Sequence, residues 1–259
     1  MRSEGSPILN LQPKEEYPGA IVDLSRSLLR SMDTAHKRAH PGHAELEARI
    51  ANYELAARMQ IEATDALDVD KETVATQRLY GMHDERTASY GRRCLMARRL
   101  VERGVRLVQI YIEGQIWDNH SQIRKGLEYA CAKTDEPAAA LIKDLKQRGL
   151  LDSTLVVWGG EFGRLPIAQD PGPNAGRDHG PSGFSMWMAG GGVKGGTVYG
   201  ATDEIGYRAV ENRVSVQDFH ATVLHLLGLN HRNLVFEREG RSERITDEFP
   251  ARVVHEILA

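Results

Sequence analysis

Apolar residues recur at three- and four-residue spacing through the first third of the chain, then give way to short unbroken apolar runs after Gly104. The first pattern predicts amphipathic helices and the second predicts buried strands. Asp23 to His36 sets Leu24, Leu28 and Leu29 on one side of a helix, which Pro41-Gly42 breaks. From Ala44 to Leu67 the longest helical pattern carries Leu46, Ile50, Tyr53 and Ala57, and the acidic stretch Asp65 to Asp70 ends it. Glu72 to Tyr80 predicts a short helix or turn. Arg86 to Arg103 predicts a helix with Tyr90, Cys94, Ala97 and Val101 on one face. Arg92, Arg93, Arg98, Arg99 and Arg103 decorate the others, as a solvated basic face. Met1 to Gly19, with Pro7, Pro13 and Pro18, has no period and predicts a surface loop.

Val105 to Ile112 is a strand candidate, and Ile123 to Lys146 a helix in which Pro137 marks a kink or a boundary between two helices. Gly149 caps that helix. Thr154 to Trp158 is apolar without alternation, as expected of a central strand covered on both faces. Strand, helix and strand joined by short turns form a βαβ unit and imply a parallel pair. Phe184 to Ala189 is a further buried run, and the glycines from Gly190 to Gly196 predict a turn that leads away from the sheet. Thr197 to Thr202 predicts an edge strand, and Val214 to Leu227 a helix capped by Ser215. His231 to Glu239 reads as a connection, Arg241 to Asp247 as a short strand or loop, and Val253 to Leu258 as a helical turn. The expected organisation is a surface loop and helical region over 1–103, continuous with an α/β core over 104–259.

A net charge of -3 over 259 residues offers no global field for nucleic acid. No apolar run is long enough for a membrane span, and residues 1–20 lack the apolar segment of a secretory signal. Cys94 and Cys131 match no metal or disulfide spacing and read as a reduced pair in a core. Nothing in the sequence specifies an oligomeric state.

Polar residues interrupt the apolar runs at points where open α/β sheets carry their chemistry. Asp118 and His120 follow the first strand candidate, Glu161 follows the second, and Asp178 and His179 lie in the compact GRDHG of residues 176–180. Carboxylates and imidazoles in this mixture suit Zn, Mn or Fe better than a pure Ca or Mg site. Hydrogen bonding inside a loop is an equally available role for each residue alone. Arg164 and Arg177 flank the same loops and can clamp an anionic group, or form surface salt bridges. Asp218 and His220 on the late helix are candidates for bracing the site or for a structural role.

WDNH at Trp117 to His120, TLVVWGGEFGR at Thr154 to Arg164 and GRDHG at Gly176 to Gly180 resemble the DUF1501 family. AGGGVKGG from Ala189, TDEIGY from Thr202 and the helix from Val214 to Leu229 extend the likeness, which is densest after Gly104. The resemblance associates the chain with sulfatases and alkaline phosphatases. It implies an alkaline-phosphatase-like, three-layer α/β/α sandwich with a mostly parallel sheet, and metal and substrate at the strand ends. On that comparison Asp118 and His120 are similar to the superfamily's earlier metal ligands and His179 to its late histidine ligand. Glu161-Phe162 stands where an Asp-His pair is usual, which argues against a full two-metal site. The superfamily's first strand and its Ser, Thr or modified Cys nucleophile are not recognisable upstream of Gly104. The resemblance therefore implies a chain lacking the family's N-terminal part, with exported full-length relatives. The implied activity is metal-dependent hydrolysis of phosphate or sulfate esters, with Zn or Mn as cofactor and an anionic small molecule or glycan ester as partner. An inactive binding or structural protein of the same fold is the alternative, and a phosphomutase-like transferase a third reading.

Overall fold

The structure, a computed structural model, describes residues 17–40, 44–246 and 249–259, and the backbone alone for residues 44 and 55–64. The expected loop through residue 16, the Pro41-Gly42 break and Asp247 lie outside the described residues.

The helical periodicities form helices close to their expected bounds. These are α1 (Gly19–Ala39), α2 (Ala44–Leu67), α3 (Val74–Leu79), α4 (Glu85–Glu102) and α5 (Ile123–Gln147). Local chemistry sets several starts. Thr73 Oγ1 accepts the Thr76 amide at 3.1 Å, and Asp84 accepts the Arg86 amide at 2.9 Å, each satisfying a donor the helix leaves orphaned. Pro137 sits inside one continuous α5 and does not divide it.

The main core lies where α4 crosses α5 and the end of α2. Leu67, Val69, Tyr80, Tyr90, Cys94, Leu95, Met96 and Ala140 are buried together there. Gly91 permits the approach of the preceding segment, because a Cβ at that position would stand 2.0 Å from the Tyr80 carbonyl oxygen. The solvated basic face expected on α4 is corrected at Arg98 and Arg99, which are buried. Arg98 lies among Glu72, Glu102 and Asp144, and Arg99 pairs with Glu72 while donating to the Ala66 carbonyl. A buried guanidinium needs such partners; Glu102 comes from the next turn of α4, and Glu72 and Asp144 from segments distant in sequence. Leu24, Leu28 and Leu29 of α1 remain exposed.

The sheet expectation is overturned. The described strands form four two-stranded ladders, every one antiparallel. β1 (Val156–Trp158) pairs with β4 (Trp187–Ala189), and β2 (Gly163–Arg164) with β3 (His179–Gly180). β5 (Ala201–Thr202) pairs with β6 (Ala209–Glu211), and β7 (Val235–Arg238) with β8 (Arg241–Arg244). There is thus no three-layer α/β/α sandwich with a mostly parallel sheet, and the alkaline-phosphatase-like and sulfatase-like descriptions of the fold fall with it. The physical reason lies at Val105–Ile112, which joins no ladder. Ile110 and Ile112 pack onto the helical core, Leu107 and Tyr111 face solvent, and Arg93 of α4 donates to the Tyr111 carbonyl at 2.6 Å. With that segment unpaired, α5 connects no parallel strands. β1 is likewise no central strand: Val157 is exposed, and β1 has β4 alone as ladder partner.

After β4 the glycine run turns the chain, as its composition predicts. α6 (Val216–Leu226) begins at a capping box in which Ser215 and Asp218 exchange side chain-to-backbone hydrogen bonds, both 3.0 Å. No helix among the described residues is long and apolar enough to cross a membrane.

Candidate metal centre

Two loops meet to build the site. The first, following the unpaired segment, carries Asp118 and His120 into the start of α5; the second, residues 174–178, enters β3 at His179. Backbone hydrogen bonds stitch them: Gln122 N–H to Asn174 O at 2.7 Å, Ile123 N–H to Ala175 O at 3.2 Å and Arg177 N–H to Asn119 O at 2.9 Å. Glycine is required at 176, since a Cβ there would lie 2.0 Å from the His120 carbonyl carbon and 2.3 Å from Asn119 O. The β2–β3 ladder then sets Arg164 directly opposite His179.

The result is a triangle of ligand atoms. His179 Nε2 lies 3.0 Å from Asp118 Oδ1, His120 Nε2 lies 3.3 Å from the same oxygen, and the two Nε2 atoms are 3.2 Å apart. Donors about 2.0–2.1 Å from a tetrahedral ion stand about 3.3 Å from one another, so the triangle has the size of one face of such a shell. The donor set also fits, because two imidazoles and one carboxylate with an open further position recur in catalytic zinc sites. Asp118 and His120 are half-buried and His179 is exposed, so solvent reaches the centre. Asp118, His120 and His179 are the one group of three potential metal ligands found among the described residues.

The family model for DUF1501, described as a protein of unknown function, matches residues 1–258. The chain belongs to the DUF1501 family. No curated protein and no solved structure matches it. Membership in DUF1501 therefore stands, while the wider alkaline-phosphatase-like assignment is corrected by the antiparallel ladders of this DUF1501 chain.

The other expected site residues surround the triad. Arg164 Nη2 bridges two carboxylates, 3.0 Å from Asp118 Oδ1 and 3.1 Å from Glu161 Oε1. Glu161 thus reaches the triad through an arginine and is largely exposed. Asp178 turns aside: its Oδ1 accepts the His179 amide at 2.8 Å and Gln169 Nε2 at 3.0 Å, which orients the loop that carries the ligand. The Arg177 side chain folds onto the Gly176 carbonyl at 2.8 Å. Asp218 caps α6 and accepts the Arg252 amide at 2.8 Å, a structural task, and His220 is exposed.

Neighbouring donors and positive charges keep the carboxylates of the DUF1501 site ionised. Burial would raise the Asp118 carboxyl, but the His179 hydrogen bond and the charges of His120, Arg164 and His179 outweigh it and hold the group below the usual carboxylate range. The Asp178 carboxyl is lowered first by the His179 amide and then by Gln169. Glu161 is lowered by its own amide, and then by Arg164 against the opposing effect of burial. From sequence, Phe162 stands with Glu161 where an Asp-His pair is usual, without a role of its own. Its ring lies 4.9 Å from that of His179 and 5.2 Å from the Arg164 guanidinium, so it packs between ligand and clamp.

Proposed function

We propose that this DUF1501 chain is a metal-dependent hydrolase of phosphate or sulfate esters, working with one divalent ion, Zn or Mn. The observation that carries the reading is the Asp118–His120–His179 triangle, which is partly exposed to solvent. When bound, the ion supplies Lewis acidity toward an ester oxygen and acidifies water. Asp118, His120 and His179 hold it. Arg164 supplies a fixed positive charge beside it for the anionic group of the ester, and Glu161 and Phe162 hold the guanidinium there. Arg177 is a second cation on the same loop pair. The organic part of the ester has an aromatic surface at hand. Trp117, next to Asp118, stands edge-on to Trp158, and Trp158 stacks on Trp187 with centroids 5.7 Å apart and planes within 8°. Trp117 and Trp187 are each more than a third exposed, which suits a glycan ester as well as an aryl one.

The test is elemental analysis of the purified chain after supply of Zn or Mn and dialysis, followed by assays with aryl phosphate and aryl sulfate. Near one equivalent of metal and turnover, both lost on His179→Ala, is the expected result. Metal binding without turnover of either ester would leave the binding-protein alternative. Well under one equivalent would refute the metal centre itself.

A further inference from the structure

A cavity elsewhere in the fold shares no residue with the triad. It lies between the end of α6, the turn that follows, and the C-terminal segment, with a volume of about 600 Å³. That falls within the range of small-molecule sites, roughly 300–1,000 Å³. Gly228, Leu229, Ala251 and Val253 supply its carbon walls. Its polar groups are Asn230, Arg232 and Arg252 with His225, His231 and His255, and no carboxylate is among the described residues that line it.

We propose that this cavity binds a small organic carboxylate. The Arg232 guanidinium is engaged in no ion pair among the described residues, and the residue is exposed. Arg252 is partly compensated, 3.2 Å from the Tyr199 hydroxyl and 3.7 Å from Glu256, and its amide is held by Asp218. His231 is 9% exposed, and its Nδ1 lies 3.2 Å from Thr246 Oγ1. His225 and His255 meet edge to face at 5.4 Å, and among the described residues these imidazoles do not gather ligand atoms as the triad does. Apolar walls beside cationic groups favour an anion with a short carbon body over strongly hydrated inorganic phosphate.

One opposing effect is present. The cavity adjoins the negative end of the α6 dipole, where cations are favoured for the helix's own sake. The Val223, Leu224 and His225 carbonyls there already accept the amides of Leu227, Gly228 and Leu229, which blunts that field. The two roles separate in an experiment on the whole chain. Calorimetric titration compares hexanoate, hexan-1-ol and inorganic phosphate on the native protein, Arg232→Ala, Arg232→Lys and His179→Ala. Hexanoate is expected to bind at least about tenfold more tightly than either control, because the charge-assisted contact is lost with the alcohol. Arg232→Ala should remove about that tenfold, Arg232→Lys should restore most of it, and His179→Ala should leave it unchanged. Equal binding of the alcohol, phosphate matching hexanoate, no hexanoate binding, or an Arg232→Ala variant that is less stable yet binds hexanoate as before would each overturn the proposal.

Discussion

Replacing Arg98 by methionine tests what holds the helical core together. Arg98 is 1% exposed, and three carboxylates surround it. Its Nη1 donates to Glu102 at 2.6 Å, while Nε and Nη2 come within 3.0 Å of Asp144 and 2.8 Å of Glu72 without hydrogen-bonding alignment. The attraction at the Asp144 contact is therefore mainly coulombic. Asp144 also accepts the Tyr80 hydroxyl at 2.9 Å and Arg148 Nε at 2.8 Å, and Glu72 pairs with Arg99. Methionine fills similar volume but leaves three acids facing the remaining cations, Arg99 and Arg148. Breaking a buried pair from one side costs about 3–5 kcal/mol, since the surviving charge stays buried and uncompensated. For a domain of this size that corresponds to a fall in Tm of roughly 6–20 °C. Adding Glu72→Gln to Arg98→Met should recover on the order of 1–2 kcal/mol, because it removes one of the orphaned charges. Urea unfolding followed by far-UV circular dichroism and tryptophan fluorescence measures both, as Trp158 packs on this core. A loss under about 1 kcal/mol for the single variant, or a double variant weaker than the single, would refute the reasoning.

Two further outcomes follow from local geometry. Gly176→Ala should push residues 119–120 away from the second loop and weaken Zn binding by about 10–100-fold with the helical signal intact, read by competition with a chromophoric chelator; unchanged affinity would show that the loops do not depend on their close approach. Cys131 is exposed and Cys94 is buried, with burial pushing its thiol up to about 12, so a thiol reagent should modify one cysteine in the native chain and both in denaturant, and fast native modification of Cys94 would contradict the packing.

The sequence by itself determined the helices and the identity of the chemical groups. α2 follows its apolar spacing from Ala44 to Leu67, and α6 starts where Ser215 and Asp218 can cap it. Helix hydrogen bonds close four residues back and caps act within three, so the information is local. Asp118, His120 and His179 were likewise visible as candidate ligands. The tertiary structure alone decided partners. Cys131 is exposed although its helical surroundings suggest a core, and Arg98 is buried although its run of arginines suggests a surface. β7 lay unrecognised within an expected connection until β8 paired with it, whereas Val105–Ile112 has the pattern of a strand and no ladder. Glu161 stands at the expected strand end yet reaches the triad only through Arg164. β7 and β8 meet across a local turn, but the partners of β1 and β2, and those of Arg98 at Glu72 and Asp144, lie well beyond one, and one chain's pattern records what a segment can bury or bind, not which distant segment arrives to meet it.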